Sequence, residues 1–295
     1  MDSAAKQRVK LWLRSERAMG QPSVVAPKDM ISLDEEENAS QAGRLNEDTR
    51  VAPAPRVVMQ RSQPIMPVKK TTVATPQPVL IQAHAAHPFT APLLPVEQRK
   101  IALAAMDSKE VKTCTRCRLC ETRTNTVFGE GSAEAKIFFV GEGPGENEDL
   151  TGRPFVGRAG QLLDKMIVGM GLSREQVMIA NIVKCRPPAN RVPLPDEVAT
   201  CTPYLERQLE IVRPAVIVTL GLPALKYMLS NPKLTMGRMR GQWQSWRGIK
   251  LMPTFHPSYV LRSYTDEVRA AVWSDLQAVL IELGIPVPKR GKSGG

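Results

Sequence analysis

Four short apolar runs, each separated from the next by a stretch with helical spacing, constrain this chain more than any other feature. Residues 136–140 (KIFFV), 177–183, 215–220 and 249–255 read as buried strands. Residues 157–170 place Leu162, Leu163, Met166 and Ile167 at helical intervals. Pro195 opens a second helix, with Asp196 and Glu197 in its first turn and Val198, Tyr204, Leu205 and Leu209 along it. A third helix is expected over 222–229, and a fourth over 266–283 is stopped by Gly284 and Pro286. Alternating strands and helices require right-handed crossovers. The expected class is therefore α/β, a three-layer αβα sandwich around a central four-stranded parallel sheet.

Residues 1–108 do not fit that pattern. They hold 11 of the 25 prolines, two aromatic residues (Trp12 and Phe89) and no cysteine. Such a stretch buries too little apolar surface to offset its chain entropy, so a long, mostly disordered N-terminal extension is expected. Within it, 4–19 has the spacing of a short amphipathic helix with Val9, Trp12 and Leu13 on one side, a candidate docking peptide for a repair or replication partner. Residues 53–95 read as a proline-rich linker. The globular domain is expected over 109–288, followed by a basic, flexible tail over 289–295.

The formal net charge is +11, and every segment contributes: 14 basic against 11 acidic residues up to 108, 23 against 18 in 109–288, and three basic residues after that. This suits a polyanionic partner, although charge alone decides association and not fold. No apolar run reaches membrane-spanning length and the N-terminus lacks a signal-peptide core, so a soluble monomer in the cytosol, at the bacterial nucleoid, is expected.

All five cysteines fall in the globular region. In a reducing compartment they point to metal binding before disulfides. Cys114 and Cys117 form a C-x2-C pair, with Cys185 and Cys201 far downstream. Two ligands on one knuckle and two from elsewhere close a tetrahedral sulfur site, suited to zinc or to an iron-sulfur cluster; spacing does not choose between them. Cys120 is left over.

Ligands of parallel α/β sheets bind beyond the carboxyl ends of the strands. The segments there are GEGPGE at 141–146, KCRPPANR at 184–191, GLP at 221–223 and HPSY at 256–259. Glycine, amide, carboxylate and imidazole groups thus converge on one edge. The glycines expose backbone N–H groups, but their spacing is wrong for a dinucleotide fingerprint. Glu142, Glu148 and Asp149 supply carboxylates, and His256 is the sole histidine in the globular region.

Taken together, CTRCRLCETRT (114–124), VGEGPGENEDLTGRPFVGRAGQLLDKM (140–166), NIVKCRPPANRVPLPDEVATC (181–201) and HPSYVLR (256–262) resemble the family four uracil-DNA glycosylases, the iron-sulfur branch of their superfamily. The resemblance covers nearly all of 112–283 and none of the extension. It implies an enzyme that flips uracil out of DNA and hydrolyses its glycosidic bond, leaving an abasic site. It further implies a structural [4Fe-4S] cluster on Cys114, Cys117, Cys185 and Cys201, with Cys120 not required.

For the base pocket it implies that Phe155 stacks on the flipped base and that the Asn181 amide pairs with its polar edge. Backbone N–H groups around Gly141 and Gly143, with His256, would face the departing carbonyl. Glu142 and Glu148 are the carboxylate candidates and Asn190 a candidate water-positioning amide, unranked among themselves. A loop at 256–262 would wedge into DNA, with Arg262 on phosphate or in the stack, while Arg186, Arg191, Arg238, Arg240 and Lys250 are candidate phosphate contacts. Two other classes compete: a non-catalytic DNA-binding module of the same fold, and a nucleotide-binding redox protein. The second needs a ribose-binding acid after the second strand, where this chain has KCRPP.

Overall fold

The computed structural model describes Phe89 and residues 91–288. The helix expected over 4–19, nearly all of the extension and linker, and the basic tail lie outside the described residues. Described structure is nevertheless present N-terminal to 109. Helix α1 (Val96–Met106) buries Leu103 and Met106, and buried Arg99 donates to the carbonyls of Ala133 (2.6 Å) and Val212 (3.1 Å). Much of the apolar content of α1 is alanine, which leaves a thin periodic signal and explains why the sequence assigned it to the extension.

The sheet has six strands: β1 (Glu130–Gly131), β2 (Ile137–Gly141), β3 (Met178–Asn181), β4 (Val216–Leu220), β5 (Gln244–Trp246) and β6 (Ile249–Thr254), in the order β1-β3-β2-β4-β6-β5. Pairings among β3, β2, β4 and β6 are parallel, while β1 and β5 add antiparallel edges. The expected four-stranded parallel sheet is therefore corrected to a six-stranded mixed one. The two edge strands, of two and three residues, are too short to leave an alternating pattern. β5 joins β6 through Arg247-Gly248, both at positive φ, the two-residue hairpin turn that matches strand twist.

The inner strands are buried on both sides because their side chains alternate between two apolar clusters. Phe138, Val140, Ala180, Ile217 and Leu251 face one cluster together with α1, α4 (Pro195–Val212) and α5 (Leu222–Met228). Ile137, Phe139, Ile179, Val218 and Met252 face the other, with α3 (Arg158–Gly169), α7 (Pro257–Arg262) and α8 (Asp266–Glu282). Helix α2 (Glu146–Thr151) follows β2, and α6 (Met236–Met239) precedes β5. Among the described residues no helix is long and apolar enough to cross a membrane. The chain moves from β2 to β3 on one side and then to β4 on the other, so a crevice opens beyond the carboxyl ends of the strands.

Candidate active site

A cavity of about 400 Å³ occupies that crevice. Glu142, Gly143, Glu148, Phe155, Asn181, Asn190, His256 and Arg262 all line it, so segments more than a hundred residues apart in sequence meet in one place. Gly141 lies behind the lining. It is paired across the sheet with Asn181, and a Cβ there would fall 2.3 Å from Asn181 Oδ1 and 2.6 Å from the Phe155 ring. Glycine at 141 is what lets those two side chains approach each other.

Asn181 is 1% exposed, and its Oδ1 has no hydrogen-bond partner among the described residues. An unpaired buried acceptor of this kind costs about 1–3 kcal/mol, which a ligand N–H would recover. Phe155 sits across from it at φ +52°, its ring centroid 5.7 Å from that of His256.

His256 caps the N-terminus of α7. Its Nδ1 accepts the Ser258 N–H (3.1 Å) and lies 2.8 Å from Ser258 Oγ, so the ring hydrogen resides on Nε2. Burial, reinforced by the positive charge of Arg262 and opposed by Glu148, lowers its pKa to about 4. The imidazole is thus a neutral donor at pH 7. Residues 257–262 form this short helix instead of the expected wedge loop, because Pro257 occupies its first position. Tyr259 is exposed and rests against Phe255, Leu261 is half-buried, and Arg262 is exposed at the cavity mouth.

The two carboxylate candidates differ. Burial alone raises the pKa of Glu142. Glu148 is instead engaged in holding backbone: Oε2 accepts the Gly145 N–H (3.1 Å), and Oε1 accepts those of Val156 (2.8 Å) and Gly157 (2.9 Å). Asn190, exposed and at φ +54°, accepts from Arg186 Nε through Oδ1 (2.7 Å). Of the basic residues expected on phosphate, Arg240 pairs with buried Asp275, Arg191 with Glu197 and Lys250 with Glu282, and Arg238 is exposed on α6.

Cys114, Cys117, Cys120, Cys185 and Cys201 line a second, smaller cavity. Two of them receive hydrogen bonds: Arg123 Nη1 donates to Cys185 Sγ (3.1 Å) and the Lys184 N–H to Cys201 Sγ (3.2 Å). Cationic Arg123 and Lys184, with Arg116 on the Tyr204 ring, surround the sulfurs. Hydrogen-bonded sulfurs among positive charges are the environment a negatively charged thiolate cluster needs. Among the described residues no three donors converge closely enough to hold one metal ion. Arg123, Tyr204 and Lys184 were missed as parts of this centre. Arg123 inside the cysteine-rich segment and Lys184 beside Cys185 were the available signals.

Fold and cavity define an α/β protein with a strand-end site for a planar polar ring, flanked by a sulfur centre. The family described as "Uracil DNA glycosylase superfamily" matches residues 128–277, and the chain belongs to it. It is 51% identical over 171 residues to a type-4 uracil-DNA glycosylase of Thermotoga maritima, covering 58% of this chain and 89% of that protein. It is 46% identical over 178 residues to the type-4 uracil-DNA glycosylase of Saccharolobus solfataricus, with 58% and 82% covered. A Sulfurisphaera tokodaii type-4 uracil-DNA glycosylase is 46% identical over 190 residues, with 62% and 84% covered.

Proposed function

We propose that this protein excises uracil from DNA. The observation that carries the reading is the unpaired, buried Asn181 Oδ1, which lines one cavity of about 400 Å³ with Phe155 and a neutral His256 donor. Uracil presents an N–H beside a carbonyl, so Asn181 Oδ1 accepts from N3–H while the amide nitrogen donates to O4. Cytosine reverses both groups and leaves buried partners unmade. The uridine must leave the base stack to reach the cavity, at a cost of a few kcal/mol that is smaller for mispaired uracil.

The C1′–N1 bond breaks with its electron pair passing into the uracil ring, and the charge collects on O2. His256 Nε2–H donates to that oxygen, an electrostatic stabilisation that requires no proton transfer. The neutral imidazole is matched to the task because it stays a donor without titrating near pH 7. The sugar becomes oxocarbenium-like. Water adds through oxygen to C1′ and gives its proton to Glu142, whose carboxylate also balances the sugar's positive charge. Glu148 is a positioning residue, holding the turn that carries Phe155, and Asn190 orients the water.

Cys114, Cys117, Cys185 and Cys201 hold a structural [4Fe-4S] cluster, which ties the loop after β3 to the segment before β1. When bound, it supplies cross-links and no step of the hydrolysis. The test is incubation with matched uracil- and thymine-containing oligonucleotides, followed by alkaline cleavage of abasic sites. Strand breaks confined to the uracil position are expected. Binding without breaks would instead identify a non-catalytic DNA-binding protein. Iron and acid-labile sulfide should each be found at about four per chain.

A further inference from the structure

The turn that delivers Phe155 is held from outside the cavity. Phe155 adopts φ +52°, a left-handed conformation that aromatic residues avoid. Gly160 at the start of α3 permits it, since a Cβ there would lie 1.9 Å from the Phe155 carbonyl oxygen. Arg174, which follows α3 and has a side chain only 12% exposed, grips the same carbonyls. Its Nη1 donates to Phe155 O (3.3 Å) and its Nη2 to Pro154 O. Two carboxylates hold the guanidinium in turn: Asp164 Oδ1 at 2.7 Å from Nη1 and Glu130 Oε1 at 3.1 Å from Nε.

We propose that Arg174 is a positioning residue for uracil excision: by donating to two consecutive carbonyls, it locks the left-handed turn that presents the Phe155 ring to the flipped base. Arginine suits this role because its planar fork reaches several acceptors in fixed directions, whereas a lysine ammonium is a point charge on a flexible stem. Glu148 secures the next two N–H groups from the cavity side. Donors and acceptors on both flanks therefore leave the ring no alternative backbone. The inference rests on the reading that Phe155 stacks on uracil.

The test is single-turnover uracil release, with excess enzyme and a single-stranded uracil oligonucleotide, at a temperature below the melting point of every variant. Arg174→Met is expected to slow release about 10- to 100-fold, the scale on which small misplacements act. Arg174→Lys, which keeps the charge, should lose most of the same rate. In a Phe155→Ala background, Arg174→Met should add less than about threefold, because the ring it positions is gone. Equal losses in both backgrounds would overturn the proposal, as would full activity in folded Arg174→Met or a loss that cooling restores. Absence of uracil release from the unsubstituted protein would instead refute the excision reading itself.

Discussion

Asn181 and Cys185 lie four residues apart, yet the cavities they enter differ in what they leave unpaired. Burial drives titratable groups toward neutrality in both: His256 down to about 4 and Glu142 upward in one, and Cys201 up to about 12 in the other. The base cavity keeps a buried acceptor, Asn181 Oδ1, without a partner among the described residues, whereas among the cysteines Arg123 donates to Cys185 Sγ and the Lys184 N–H to Cys201 Sγ. Lys184 joins them. It is 1% exposed, its Nζ donates to the Asn181 carbonyl (2.9 Å) and Gln208 Oε1 (2.6 Å), and its N–H donates to Cys201. The contrast shows how one strand end can carry two cavities of different polarity, with Lys184 bonded to both.

The hardest blow to the base cavity should come from Glu142→Gln. Loss of the carboxylate is expected to slow uracil release by roughly 10²- to 10⁴-fold. The variant should melt no lower than the unsubstituted protein, because a desolvated charge has been removed. In the unsubstituted protein, activity should fall as pH drops through the raised Glu142 pKa, so the acid limb lies above the usual carboxylate range. Glu142→Gln should lack that limb. A variant that keeps both the rate and the limb would remove Glu142 from the chemistry.

His256→Ala should cost somewhat less, roughly 10²- to 10³-fold, the range for a single lost oxyanion donor. The rate should show no inflection at the ordinary histidine pKa near 6.5. Stability is linked to the same shift. The unfolded chain takes up a proton near 6.5 and the folded protein only near 4, so this group favours the folded state less as pH falls through that window. The difference is at most about 3 kcal/mol, complete below pH 4 and absent above about pH 7. Denaturant unfolding of the unsubstituted protein and His256→Gln at pH 7 and 4.5 checks the sign: the unsubstituted protein should lose more. An equal loss in both would mean that His256 is not buried as described.

Much of this architecture was legible before any coordinates. β2, β3 and β4 are fully buried runs and β6 is buried except at Lys250, and Pro195, Gly284 and Pro286 punctuate the helices as such residues should. The cavity residues were legible because they follow strand ends, where the topology gathers side chains. What escaped was either short or long-range. β1 and β5 hold too few residues for periodicity, and three of the seven apolar residues of α1 are alanine. The helical state of 257–262 was hidden by a six-residue length. Arg240 reads in the sequence as a candidate phosphate contact and Arg174 carries no motif; their partners Asp275, Pro154 and Phe155 are brought to them only by the fold. The commitment of Glu148 to three backbone N–H groups likewise depends on a turn whose left-handed Phe155 no local pattern announces.

The smallest expected effect tests the cysteine side. Cys114, Cys117 and Cys120 repeat at C-x2-C-x2-C, so spacing alone would admit all three as ligands. Packing separates them. Cys114 and Cys117 pack against the apolar cluster that contains Cys185 and Cys201, whereas Cys120 is not part of it. The Cys120 N–H closes a backbone turn onto the Cys117 carbonyl (3.2 Å). Cys120→Ser should therefore retain the iron content, the visible absorbance and the uracil-release rate within about twofold. Cys117→Ser should lose iron and, with it, the linkage between the segment before β1 and the loop after β3. If Cys120→Ser also bleached the protein, the packing criterion would fail and the ligand set would have to be redrawn around the 114–120 segment.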